Sequence, residues 1–204
     1  MSIRYSVRIK DPILRKADIA LRVRESTDKR QTRREYKFRG GVEKLAVIYM
    51  PINDLVYRLE NYRTKDRQLS LMASGKRPTG FFDATRREDP SVQQAQHEIL
   101  VEQSKRGSGE SIKPIFDELD RVAEQTEDLL ISADGVVVNG NRRLSAMREL
   151  YSLGGKFKGF EQILCAVLPE SASPDEIRKL EIGLQMQPET KQWQHLRRNP
   201  YGMR

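Results

Sequence analysis

The sequence has little that would support disulfide, metal or membrane chemistry. It contains one cysteine, two histidines and one tryptophan among 204 residues. A single cysteine excludes an internal disulfide framework, and no cysteine and histidine cluster has the spacing of zinc ligands. The apolar runs are much shorter than the roughly 20 residues of a membrane-spanning helix, and the basic first thirty residues lack the apolar segment of a secretory signal. These absences predict a reduced, cytoplasmic protein with no membrane partner.

Positive charge is concentrated at the start of the chain. The net charge is +8, and residues 1–40 account for it, with thirteen Lys and Arg against five Asp and Glu. Such a basic N-terminal arm attracts polyanions by displacing their counterions, so it predicts nonspecific contact with a nucleic-acid backbone. A solvated extension without a ligand is the alternative. The predicted nucleic-acid contacts are Arg30, Arg33, Arg34, Lys37 and Arg39.

The pattern of apolar residues predicts an α/β chain of short strands and amphipathic helices. Asp11-Pro12 is typical of a helix start, and the apolar residues that follow it share one helical face. The polar segment 26–39 is predicted to be loose. Cys165 lies in an apolar strand, which favours a buried, inert thiol. The predicted strands are 44–50, 129–132, 136–138 and 163–168, and further helices are predicted over 90–103, 112–125, 142–151 and from 173 onward.

The turn Asn139-Gly140-Asn141 joins a predicted strand to a helix that opens with two arginines. The first backbone amides of a helix have no partner within the helix, and the helix dipole adds about half a positive charge there. Glycine lets an anion approach the backbone closely, and paired guanidinium groups match phosphate oxygens. The turn therefore predicts a phosphate site. Its residues are Gly140, Asn141, Arg142 and Arg143.

The same turn also has a purely structural interpretation. Asn141 could simply cap the helix, because asparagine is a favoured capping residue. The two arginines would then form internal ion pairs. The available partners in this interpretation are Asp134, Glu149 and Glu161.

The segment DGVVVNGNRRLSAMREL, residues 134–150, resembles the ParB/sulfiredoxin superfamily. It is similar to the strand, the Gly-Glu-Arg-Arg box and the Ala-rich helix of ParB N-terminal-domain-like proteins, the ParB-like nuclease domain. Further along, 184–188 resembles the family's second phosphate motif, Glu-Asn-Ile-Gln-Arg, with Leu184 and Gln185 matching. Upstream, Asn61 and Arg63 map onto an Asn…Arg element that ends the family's opening strand and loop.

This resemblance implies a small mixed sheet flanked by helices in a domain over residues 41–188. A helical insert would occupy about 64–128, with the basic arm 1–40 before the domain and a polar tail 189–204 after it. The cofactor implied is a nucleoside triphosphate, CTP or ATP, with magnesium, and the partners implied are nucleic acid and a second copy or another protein. Gln185 would join the phosphate site. The predicted nucleotide cleft adds Asn61, Arg63, Gln96 and His97, although a polar helix face is the alternative for the last two.

One departure from the family limits the chemistry. Asn141 stands where ParB has Glu and where sulfiredoxin has its reactive Cys, so sulfiredoxin activity is excluded because an amide is no nucleophile. The sequence thus favours a ParB-like nucleotide- or DNA-binding domain. A nucleotide-dependent phosphotransferase or nuclease on the same scaffold is one alternative, and a structural or partner-binding module with a vestigial pocket is another.

Overall fold

A computed structural model describes residues 3–28, 33–106 and 114–186, which form a mixed α/β structure around one six-stranded sheet. The strand order is β1-β2-β6-β4-β5-β3. The pairs β3/β5 and β4/β6 are parallel and the other pairs are antiparallel. The strands are β1 (Arg33–Phe38), β2 (Gly41–Pro51), β3 (Val56–Tyr57), β4 (Leu129–Ile131), β5 (Val136–Asn139) and β6 (Gln162–Val167).

Of the six α-helices within the described ranges, five cover the two faces of this sheet unequally, and α2 packs on α3. Successive strand residues point to opposite faces, so Ile131 contributes to one core and Leu130 to the other. Helices α1, α3, α4 and α5 contribute to the first core and α6 to the second. No helix of the described part is both long and apolar enough to cross a membrane. The helices are α1 (Pro12–Asp28), α2 (Tyr62–Ala73), α3 (Pro90–Ser104), α4 (Ile115–Val122), α5 (Asn141–Tyr151) and α6 (Pro174–Met186).

The predicted elements over 129–186 are confirmed within one or two residues, but two strands were missed. The prediction that 26–39 is loose is wrong over β1. This strand pairs along its whole length with β2 and buries Phe38. Strand β3 is only two residues long, so it leaves no periodic signal. Helices α2, α3 and α4 occupy the segment predicted as an insert, between β3 and β4.

Helix α1 packs on the sheet through a face that its hydrophobic pattern does not predict. Arg15 is fully buried and Ile19 is 1% exposed. The apolar residues that share the other face, by contrast, are exposed: Ile13 by 77%, Leu14 by 62% and Leu21 by 53%. The helix therefore turns its apolar face to solvent.

Contacts of Arg15 explain this orientation. Its guanidinium forms a two-pronged pair with Glu88, with N–O distances of 2.7 and 3.1 Å, which is the strong geometry for these groups. Its Nε donates to the carbonyl of Asp134 at 2.6 Å and Nη1 to that of Lys10 at 3.2 Å. A Cβ at Gly135, whose φ is +82°, would lie 2.9 Å from Arg15 Cδ. The β4–β5 turn therefore needs glycine both for its backbone and for Arg15.

The outer edge of β3 is closed by a glutamine side chain. Gln93 of α3 accepts from the Tyr57 backbone N–H at 2.7 Å and donates to the Tyr57 carbonyl at 2.9 Å. The amide thus satisfies both backbone groups that a further strand would pair.

Arg148 of α5 fixes the segment before β3. Its guanidinium is buried, donates to the carbonyls of Ile52 and Leu55, and lies between the rings of Tyr5 and Tyr57. Helix α5 and strand β3 therefore hold a defined relative position.

Candidate functional site

The fold brings two loops together at one edge of the sheet. Strands β3 and β5 are parallel neighbours, with Val56 opposite Val136, so their carboxyl ends lie side by side. The loop 58–61 follows β3 and leads into α2, and Gly140 follows β5 and leads into α5. The Arg58 backbone N–H donates to Asn141 Oδ1 at 3.3 Å and joins the two loops directly. Carboxyl ends of parallel strands are the usual place for ligands in α/β sheets.

Gly140 shapes the turn that opens α5. Its φ is +97°, in the left-handed region that favours glycine, and an added Cβ would overlap with Leu129 Cδ2. Gly140 is the N-cap residue of α5 and has no side chain with which to cap the helix. Asn141 does not cap it either, because it is the first residue of the helix, its Oδ1 accepts from the Arg58 backbone N–H at 3.3 Å and its Nδ2 donates to the Val137 carbonyl at 2.8 Å. The capping interpretation of Asn141 is therefore wrong, and the asparagine instead fixes the turn.

The two arginines of the turn are both half-buried, and the structure defines the contacts of Arg143 most fully. Arg143 Nη2 lies 2.5 Å from Glu127 Oε2, and the side chains are 15% and 68% exposed. Its Nε is buried and has no hydrogen-bond partner among the described residues. None of the three acidic partners suggested by the sequence takes this position, and Arg143 keeps an unused donor.

Arg58 is a third cation beside the turn, and sequence reasoning missed it. Its Nε lies 3.0 Å from Glu181 Oε2 of α6, with the side chains only 12% and 2% exposed. The Arg58 Nε makes no well-directed hydrogen bond in this pair. Because Arg58 follows a two-residue strand and pairs with a residue far along the chain, no local pattern marks it.

Of the upstream residues, Asn61 lies in the same loop as Arg58, and Arg63 lies in the first turn of α2. Asn61 is buried and caps α2, since its Oδ1 accepts from the Arg63 backbone N–H at 3.0 Å. The Arg63 side chain is exposed. The topology thus places this element beside the α5 turn, with Asn61 in a structural role.

Gln96 and His97 do not line an open cleft, which corrects their predicted placement. Both are fully buried. Gln96 donates to Thr64 Oγ1 at 3.1 Å and accepts from Gln68 at 2.9 Å. These contacts tie α3 to α2 within the protein.

His97 joins three elements of the core. Its Nδ1 lies 2.8 Å from the Tyr57 hydroxyl and its Nε2 lies 3.0 Å from Glu149 Oε1. Burial lowers the pKa of His97 below its ordinary value, although the Glu149 hydrogen bond opposes this effect. For Glu149 burial acts to raise the pKa, but the hydrogen bonds from His97, Tyr5 and Arg4 outweigh it and lower the pKa. The cluster has the structural role of a satisfied core network.

The predicted nucleic-acid contacts lie on and after β1, where several pair within the molecule. Arg34 lies 2.5 Å from Asp128 and Arg39 lies 2.9 Å from Glu176. Arg33 donates to the Lys44 carbonyl at 3.3 Å, and Lys37 is exposed. Arg30 lies outside the described residues.

Gln185, which was predicted to join the phosphate site, belongs to α6, but its side chain lies outside the described part. Across residues 3–28, 33–106 and 114–186, no group of three His, Cys, Asp or Glu residues could hold a metal ion. Magnesium bound with a nucleotide takes most of its ligands from phosphate and water, and needs only one or two carboxylates. Two carboxylates that contact the arginines of the site are Glu127 and Glu181.

Comparisons with known proteins found no relative of this chain. No protein-family model, no curated protein and no solved structure matches this chain.

Proposed function

We propose that this chain is a ParB-like phosphate-binding domain that holds the phosphates of a nucleotide at the N-terminus of α5. One observation carries the proposal: the N-terminus of α5, whose N-cap residue is Gly140, adjoins the carboxyl ends of two parallel strands, and Arg58, Arg142 and Arg143 accompany it. Backbone amides, a helix dipole and guanidinium groups together favour a multiply charged anion. The resemblance of residues 134–150 to the ParB family supports a nucleoside triphosphate, CTP or ATP with magnesium, as that anion.

The existing ion pairs of the site are compatible with a ligand. Glu127 is 68% exposed, and a pair with so exposed a carboxylate contributes about 0–1 kcal/mol. A phosphate can therefore replace Glu127 on Arg143 at little cost. Arg58 differs, because its partner Glu181 is buried, so we assign the first phosphate contact to Arg143 and not to Arg58.

Calorimetry with CTP, ATP, GTP and inorganic pyrophosphate, each with and without magnesium, tests the proposal. Loss of one charge-assisted hydrogen bond costs about 1.5–3 kcal/mol, so Arg143→Ala should weaken binding about 10- to 100-fold. Arg121→Ala is the matched control, because Arg121 is exposed on α4. Absence of binding by the wild type, or equal affinity of the wild type and Arg143→Ala, would contradict the proposal.

A second activity, contact with a nucleic-acid backbone, is favoured by the exposed cations of β1. Neither Arg33 nor Lys37 forms a described pair with a carboxylate, and both side chains are exposed. Each phosphate contact contributes a slope of about −0.9 to log K against log salt for duplex DNA. Replacing both residues by alanine should therefore reduce the slope by about 1.8. An unchanged slope would show that β1 does not contact the backbone.

The enzymatic alternative is tested on the same samples. Phosphoryl transfer needs a general base and metal-binding carboxylates around the phosphate. Release of phosphate from CTP or ATP, measured against the Arg143→Ala variant, would favour a phosphotransferase or hydrolase. If neither binding nor release occurs, the structural module with a vestigial pocket is the better description.

A further inference from the structure

The exposed face of α1 carries three large aliphatic side chains, Ile13, Leu14 and Leu21. We define the α1 stripe as Ile13, Leu14, Ala17 and Leu21, which recur at helical spacing and are all exposed. Large aliphatic side chains gathered on one stripe are typical of a protein interaction site, whereas single ones scattered over a surface need no explanation.

The stripe cannot reach the core by a rotation of α1. Such a rotation would break the four hydrogen bonds of Arg15 and expose Ile19. At the other end of the helix, Ser26 is buried and donates to the Val47 carbonyl at 3.2 Å. Both ends of α1 are therefore anchored with the stripe outward.

Charged side chains beside the stripe form ion pairs within the molecule. Asp18 pairs with Arg22 at 3.1 Å and with Lys10 at 3.3 Å. On the other flank, Lys16 pairs with Glu170 at 2.6 Å. The charges beside the stripe are therefore paired within the molecule, whereas the exposed Arg24, seven residues after Ala17, lies on the same face and adds a cation at one end of the stripe.

We propose that the α1 stripe binds the α1 stripe of a second copy of this chain in antiparallel orientation. A two-fold axis that lies between the two helices, perpendicular to them and level with the midpoint of residues 17 and 18, places Leu14 against Leu21 of the second copy and Leu21 against its Leu14. The same axis places Arg24 of the second copy level with Asp11; both residues are exposed, and Asp11 Oδ1 also caps α1 by accepting from the backbone N–H groups of Ile13 and Leu14. Parallel pairing would instead place two Arg24 side chains together. Antiparallel pairing also aligns the helix dipoles favourably.

Small side chains near the axis let the helices come close. Ala17 lies next to the axis, and helix axes approach to about 8 Å where the side chains between them are small. One helix pair is a small interface beside the roughly 1,200–2,000 Å² of stable complexes. The dimer is therefore expected to dissociate with a constant in the micromolar range, about 1–100 µM.

Sedimentation velocity of the full chain across this concentration range tests the proposal. Leu14→Glu should raise the dissociation constant at least about tenfold, because it brings a charge into the apolar contact. Leu69→Glu, at a 49% exposed leucine of α2, is the matched control and should leave the constant unchanged. Thermal unfolding shows that both variants are folded. A wild type that is monomeric throughout, or a dimer that Leu14→Glu does not weaken, would overturn the proposal.

Cysteine cross-linking tests the orientation independently of affinity. The natural cysteine is buried and does not compete. A mixture of Leu14→Cys and Leu21→Cys chains should form mixed disulfide dimers faster than either chain alone, whereas parallel helices would favour the two homodimers. Ser70→Cys, exposed on α2, is the control for random collision. Faster cross-linking of each single variant with itself, or cross-linking no faster than that of Ser70→Cys, would overturn the antiparallel arrangement.

Discussion

Arg15→Met tests whether a buried guanidinium, and not an apolar face, attaches α1 to the sheet. Methionine keeps much of the arginine stem but removes the charge and all four hydrogen bonds. The variant leaves the carbonyls of Lys10 and Asp134 without these donors and leaves Glu88 with Arg87, whose Nε lies 3.5 Å from Oε1, in place of the two-pronged pair. We expect α1 to lose its main anchor.

The magnitude follows from the burial of each group. Breaking a buried ion pair by removing one member costs about 3–5 kcal/mol, and an unsatisfied buried carbonyl costs about 1–3 kcal/mol. Glu88 is 28% exposed and can hydrate in the variant, so its share is reduced. The retained methionine stem offsets part of the remainder. We therefore expect a loss of about 3–5 kcal/mol in the free energy of unfolding.

Urea and thermal unfolding measure this loss. For a chain of this length each kcal/mol lowers Tm by about 2–4 °C, so Tm should fall by about 6–20 °C. Arg121→Met is the matched control, since it makes the same substitution at an exposed helical position, on α4, and should change stability by less than about 0.5 kcal/mol. A loss below about 1 kcal/mol for Arg15→Met, or equal losses for both variants, would refute the reasoning.

Three further predictions concern the turn, the core network and the thiol. Gly140→Ala should cost about 1–3 kcal/mol in urea unfolding, since alanine must adopt a positive φ and overlap Leu129, and equal stability would refute the strain. The pKa values of His97 and Glu149 are both lowered on folding, so the unfolded chain binds protons first and stability should fall as pH drops below about 6.5. His97→Gln should flatten this dependence of stability on pH between pH 7 and 5. An unaltered slope would show that His97 is not its source. Burial raises the pKa of Cys165, so a thiol reagent should label it only in the unfolded chain, and rapid labelling of the folded protein would contradict its burial.

Much of the fold could be predicted from local signals. The Asp-Gly turn before β5, the glycine before α5 and the spacing of buried residues in α3 each depend on a few consecutive residues. The Ser173 and Glu176 spacing likewise predicts a capping box, and both of its hydrogen bonds are present at 2.8 and 3.3 Å. Such signals are decided within one turn of chain, so tertiary packing does not override them.

Features that depend on distant partners escaped prediction. Strand β1 is charged and forms only because β2 supplies a partner, so its sequence resembles a loop. The pairs of Arg15 with Glu88 and of Arg58 with Glu181 join residues far apart in the chain. The most informative residues of the candidate site and of α1 are therefore those whose burial only the three-dimensional arrangement determines.

The Gln93 side chain has a consequence for how these molecules can aggregate. Because its amide is hydrogen-bonded to the backbone N–H and carbonyl of Tyr57, another strand cannot pair with this edge of the sheet. The opposite edge of the sheet is β1, which has no second neighbouring strand among the described residues. A sheet with one unpaired edge can pair with one other sheet of the same kind, and the resulting dimer then has no unpaired edge to which a third molecule could add. Edge-to-edge recruitment through this sheet therefore stops at two molecules, which protects the protein against fibre formation by this route.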